Sequence, residues 1–130
     1  MPSLPHAVGI NHVALEVGDL ERAIAFYSQT FQLRGIERAY GGAFLDLGDQ
    51  FIALFPPGAG EDRHFGLVVD DVSRLPGPRD FHDPFGNRIQ AVQYDRIQFL
   101  KDARVLSALG VPELGKSEAA LEELRSNGLA

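Results

Sequence analysis

The chain has 130 residues, 45% of them hydrophobic, which suits a single domain with a buried core. A formal net charge of −6 lacks the basic footprint that nucleic-acid binding needs, and the absence of cysteine removes disulfides, thiolate ligands and cysteine nucleophiles. No apolar run approaches the roughly 20 residues of a membrane span, and Met1-Pro2-Ser3-Leu4-Pro5-His6 has neither the basic segment nor the apolar stretch of a signal peptide, so the expectation is a cytoplasmic protein with no nucleic-acid or membrane partner.

The first predicted element is a strand from about Gly9 to Val17. Alternation sends Val13, Leu15 and Val17 to one face and His12, Ala14 and Glu16 to the other. Asp19 is placed to cap a following helix, with Glu21 in its first turn and Leu20, Ala23, Ile24, Tyr27 and Phe31 at helical spacing. Three short strands come next, about Ile36 to Tyr40, Ala43 to Leu47 and Gln50 to Phe55, divided by Gly41-Gly42 and Gly48-Asp49 turns. The order is β-α-β-β-β, and Pro56-Pro57-Gly58-Ala59-Gly60 reads as a linker.

Beyond the linker the histidine strand returns. Asn11-His12-Val13-Ala14-Leu15-Glu16-Val17 is echoed by Arg63-His64-Phe65-Gly66-Leu67-Val68-Val69, each copy holding one histidine opposite its most apolar face. The second copy is truncated, because the stretch Val72 to Pro78 is too short and too rich in proline for a helix. Asp83-Pro84-Phe85-Gly86 suits a type I turn leading into a strand from Arg88 to Tyr94. In the tail, Ile97, Leu100, Ala103 and Leu106 form one helical stripe ending near Gly110, and Ser117 caps a last helix through Leu121 and Leu124 to Gly128. These helices have no counterpart in the repeat. They either cover apolar surface left bare by the missing helix or pack on a second subunit.

Two histidine strands related by a repeat point to half-sites meeting across a pseudo-twofold axis, a place for a shared ligand or metal. Strand parity turns Phe44, Phe51, Phe55, Val92 and Tyr94 inward with Ala14 and Gly66, giving either an aromatic-lined cup for a small organic ligand or a cup filled as core. His6 and His82 read as satisfied structural residues, and Asp19, Asp70 and Asp71 as caps and turn residues. No glycine-rich phosphate loop, serine elbow or nucleotide fingerprint is present, so phosphoryl transfer, serine hydrolysis and dinucleotide chemistry have no support.

From about Gly9 to Tyr94 the sequence resembles the vicinal oxygen chelate superfamily, which includes glyoxalase I, extradiol dioxygenases, and fosfomycin- and bleomycin-resistance proteins. The resemblance is carried by Ile10 to Leu20, by Ala25-Phe26-Tyr27, by the His64 strand ending Val69-Asp70-Asp71-Val72, and by Asp83-Pro84-Phe85-Gly86-Asn87-Arg88-Ile89. It implies an α+β fold of paired βαβββ modules whose sheets curl into a cup, frequently in a homodimer, with a divalent metal bound inside. The chain then divides into module one, about 9–56, a truncated module two, about 61–95, and a helical extension, about 96–130.

Carried over position by position, the resemblance places metal ligands at His12, His64 and Gln90. The fourth-strand position, glutamate in glyoxalases, falls on Ala53, which has no donor, and at Gln90 a carboxylate has become an amide. The implied ion is nickel, zinc, manganese or iron, with Glu16 or Asp46 as the group that moves a proton, and Phe44, Phe51, Ala53, Phe55, Val92 and Tyr94 as the pocket. The implied function is a metal-dependent lyase, isomerase or dioxygenase acting on a small oxygenated molecule. The alternative is a metal-free binding protein of the bleomycin-resistance kind.

Overall fold

The computed structural model describes residues 3–59 and 62–130; Met1 and Pro2, and Gly60 at the end of the expected linker, lie outside the described residues. Seven strands form one mixed sheet in the order β2-β3-β4-β1-β5-β7-β6. Module one is β1 (Ala7–Glu16), α1 (Leu20–Thr30), β2 (Gly35–Ala39), β3 (Gly42–Asp46) and β4 (Phe51–Phe55). Module two is β5 (His64–Val69), β6 (Asp80–His82) and β7 (Arg88–Gln93), with a three-residue 3-10 helix, Val72–Arg74, where module one has α1. The repeat is visible in the pairing: β1 runs parallel to β4 as β5 runs parallel to β7, and β1 joins β5 antiparallel at the centre. Among the described residues module two also has no counterpart of β2, and the sequence reading missed β6, whose one partner strand there is β7.

Local chemistry sets these boundaries. The Asp19 carboxylate accepts from Arg22 N at 3.1 Å and starts α1. Asp71 does the same for the 3-10 helix, accepting from Ser73 N at 3.0 Å. In the turn before β7, Gly86 N donates to Asp83 O at 3.1 Å with Gly86 at φ +88°, a conformation that glycine adopts without strain. His6 is a satisfied structural residue, as expected: its Nδ1 lies 3.0 Å from the Asp70 carboxylate, which also accepts from His6 N at 2.8 Å.

Two layers cover the sheet. On the outer face, α1 lies against β3 and β4, over Ala43, Leu45 and Leu54, all buried. The opposite, cup face carries His12, and there the tail corrects an expectation. The tail does not occupy the outer surface that the missing helix would have covered. Phe99, Leu106 and Val111 instead pack into one end of the cup, against Val8, Val68, Val92 and Tyr94. Val92 and Tyr94 therefore face inward, as parity predicts, yet belong to this core and not to the ligand pocket. Gly9 makes room for the packing, since a Cβ there would stand 2.4 Å from Phe99 Cζ.

The tail helices are shorter than the apolar stripe suggested. Helix α2 (Ala103–Ala108) is capped by Asp102, and Ile97 and Leu100 lie ahead of it in non-helical chain. Helix α3 (Glu118–Ser126) begins at Ser117, whose hydroxyl accepts from Ala120 N at 3.2 Å. Lys116 ties the tail down by donating to the carbonyls of Tyr94 and Ile97 while its Nζ sits 3.5 Å from the centre of the Tyr94 ring. Among the described residues no helix is long and apolar enough to cross a membrane.

Candidate functional site

The register places the site residues in two rows across the cup face. One row runs Asp46 (β3), Phe51 (β4), His12 (β1), Gly66 (β5), Gln90 (β7); the next runs Phe44, Ala53, Ala14, His64, Arg88. Gly66 stands between His12 and Gln90, and its missing side chain is what lets them meet. A Cβ there would stand 2.2 Å from His12 Cε1, so the imidazole lies over the glycine backbone and lines one cavity with the Gln90 side chain. On its other side His12 stacks on Phe51, with ring centroids 4.7 Å apart and planes at 7°. His64 meets His12 edge to face at 5.3 Å.

Both histidines are held by the same ring nitrogen. His12 Nδ1 donates to Asn11 Oδ1, and His64 Nδ1 donates to the backbone carbonyl of Asp62, each at 2.9 Å. With Nδ1 the donor in both rings, Nε2 is the nitrogen that carries the lone pair in the neutral form, the arrangement that metal-ligating histidines show when carbonyl oxygens orient them. Asn11 reaches His12 through an irregularity in the β1–β5 register between Ile10 and His12, which leaves two successive residues buried. Arg88 steadies the second anchor, donating at 2.7 Å to the Asp62 carboxylate and to that of Asp80. Burial, and then the neighbouring His64, push His12 down to about 4 against the opposing influence of the Gln90 side chain. It is neutral at pH 7, as a ligand must be.

His12, His64, Gln90, Phe44, Phe51, Ala53 and Phe55 line a cavity of about 180 Å³, so most of the residues singled out in the sequence come together. Tyr40 completes it and was missed. It occupies the β2–β3 turn at φ 53°, is 86% exposed, and meets Phe44 edge to face at the mouth. The two carboxylates do not join. Glu16 is exposed at the end of β1, past the last residue of β1 that pairs with β5. Asp46 faces the cup but has Phe51 between it and His12; its Oδ1 accepts from Gly48 N at 2.8 Å, and it lines a neighbouring cavity.

The donor set fits a divalent ion in kind: two oriented imidazole nitrogens and an amide oxygen. It brings no negative charge, which places its affinity below that of the same set with glutamate. Among the described residues no group of three or more His, Cys, Asp or Glu side chains is arranged to hold a metal ion.

A sheet of one βαβββ module and a shortened second copy joined at their first strands, with a histidine from each on the cup face, defines the class. The family model described as Glyoxalase/Bleomycin resistance protein/Dioxygenase superfamily matches residues 9–76, and the chain belongs to that superfamily. Among solved structures it is similar to methylmalonyl-CoA epimerase from Mycobacterium tuberculosis, at 19% identity and TM-score 0.46 over 72% of this chain and 92% of that one. It is also similar to a methylmalonyl-CoA epimerase variant of Streptomyces coelicolor in complex with 2-nitronate-propionyl-CoA, at 16% identity and TM-score 0.43 over 70% of this chain and 97% of that one. No curated protein matches the chain.

Proposed function

We propose that this protein is a metal-dependent enzyme of glyoxalase or dioxygenase type, a lyase, isomerase or oxygenase, that acts on a small oxygenated organic molecule. The observation that carries the reading is the shared anchoring of the two imidazoles through Nδ1, which leaves the Nε2 nitrogens of two rings lining one cavity as the available ligand atoms. His12, His64 and Gln90 hold the ion, and nickel, zinc, manganese and ferrous iron are the candidates. When bound, the ion supplies Lewis acidity toward chelating substrate oxygens. Phe51 fixes the plane of His12, Phe44 and Phe55 exclude water around the substrate, and Tyr40 stands at the entrance. Asp46, in the adjoining cavity, is better placed than Glu16 to exchange a proton through water. Under the same reading the chain acts as one domain, in the cytoplasm and as a homodimer.

Metal analysis tests the reading on protein purified without chelator or nickel affinity. Close to one ion per chain is expected, and the double variant His12→Ala, His64→Ala should lose it. Finding no bound ion after incubation with nickel, zinc, manganese and ferrous iron would overturn it.

A second reading rests on a different observation: the pocket holds a neutral amide at Gln90 and no donor at Ala53. In that reading the cup sequesters an aromatic compound without a metal. Stabilisation by metals in a thermal-shift screen supports the enzyme; stabilisation by aromatic compounds, insensitive to chelator, supports the binder.

A further inference from the structure

Beside the histidine pocket lies a larger cavity of about 640 Å³. Phe44 and Phe51 belong to the walls of both. The shared walls join the two, and the larger cavity falls within the range of about 300 to 1,000 Å³ usual for small-molecule sites. One wall of the larger cavity comes from β2, β3 and the β3–β4 turn, and the other from the tail, through Arg96, Gln98, Glu123 and Asn127. The tail is tied across this opening: Arg34 donates to the Asn127 carbonyl, and Leu100 N to Asp49 Oδ2 at 3.0 Å.

The lining holds four carboxylates, Glu37, Asp46, Asp49 and Glu123, against two arginines, Arg34 and Arg96. Arg34 is engaged by the Asn127 carbonyl, and Arg96 lies 3.6 Å from Asp95. Among the described residues Glu37 and Glu123 have no ion-pair partner. Such a surface repels an anion and accepts hydrogen bonds from hydroxyl or amine groups. Asn11 supplies the complementary donor. It is 93% buried, counting its 7% exposure, and lines the larger cavity; its Oδ1 is taken by His12, while its amide nitrogen has no partner among the described residues.

We propose that the larger cavity is the second compartment of one ligand site, that it receives a hydroxylated, non-anionic portion of the same molecule that enters the histidine pocket, and that the C-terminal extension builds it. This rests on the reading of the histidine pocket as a ligand site. Asn11 joins the compartments, one end of its amide orienting His12 and the other donating to the ligand.

The test uses 2-hydroxyacetophenone and three para-substituted derivatives carrying a terminal diol, a butyl group or a carboxylate on a four-atom chain. Dissociation constants are measured by calorimetry on the full chain, and the Asn11 side-chain amide is followed by NMR. The diol should bind at least tenfold tighter than the butyl compound, the carboxylate should bind weakest, and the Asn11 amide should shift with the diol but not with the unsubstituted head. Glu123→Ala should narrow the diol-to-butyl ratio. Equal affinity for diol and butyl compounds, or tightest binding of the carboxylate, overturns the second compartment and leaves the histidine pocket standing. Binding of none of the four overturns both.

Discussion

At one end of the cup face Val8, Val68 and Val92 pack beneath Phe99, Leu106 and Val111; at the other, on the same strands, His12, His64 and Gln90 face a cavity between aromatic side chains. The two ends share strands β1, β5 and β7, and the difference lies in what the tail covers. A helical extension that docks by burying apolar area settles where apolar residues continue along the strands, and stops where the face turns polar at His12 and Gln90. The site is therefore the part of the cup that the tail leaves unfilled, and the two ends should respond to substitution in opposite ways.

Breaking the filled end has the largest expected effect. Phe99→Ala removes a buried ring that packs at 6.2 Å on Tyr94, and should lower unfolding free energy by roughly 3–5 kcal/mol in urea titrations. Phe51→Ala, at the half-exposed open end, should cost well under that in stability while weakening ligand or metal binding. Equal stability losses at the two ends would remove the distinction.

Acid sharpens the comparison next. His12 titrates near 4 in the folded protein against an ordinary value of 6.5. Between those values the unfolded chain binds a proton that the folded chain does not, so the stability held above pH 6.5 is lost as pH falls toward 4, by about 3 kcal/mol at most. Unfolding of the metal-free protein at pH 7 and pH 4.5, compared with His12→Gln, isolates this contribution: the variant should lose less stability on acidification. Gly66→Ala follows in size. The new methyl group must displace the His12 ring, costing roughly 1–3 kcal/mol and abolishing metal uptake, whereas alanine at Gly18, which has no atom within 4 Å of the added Cβ, should not disturb the site.

How far the sequence anticipates all this differs by level. The repeat and the β-α-β-β-β order were legible because alternation, capping aspartates and glycine turns each leave a local mark. Strand β6 left none, having three residues and one partner strand. Periodicity identified an apolar tail but does not say which face of a sheet a stripe will choose, so Val92 and Tyr94 were assigned to the pocket on correct parity and then covered. Parity also placed Asp46 rightly on the cup face, without revealing that Phe51 would stand between it and His12. Asn11 was invisible to alternation, because the register irregularity that buries it beside His12 breaks the period of two. Tyr40 was read as the end of a strand, and its positive φ, which swings the ring over the mouth, belongs to the turn.

The smallest predicted change bears directly on what the open end is for. Gln90→Glu leaves the shape of the pocket almost unchanged and adds one negative charge beside two imidazoles. If His12, His64 and residue 90 share an ion, the carboxylate should tighten binding by about tenfold, or roughly 1.4 kcal/mol, measured by chelator competition at pH 7. The same charge should raise the His12 pKa, since a carboxylate favours the protonated ring, so the gain should shrink as the pH is lowered and protons compete with metal for His12. Metal affinity unchanged by the substitution would mean that residue 90 serves His12 as a hydrogen-bond partner alone, and would favour the metal-free cup.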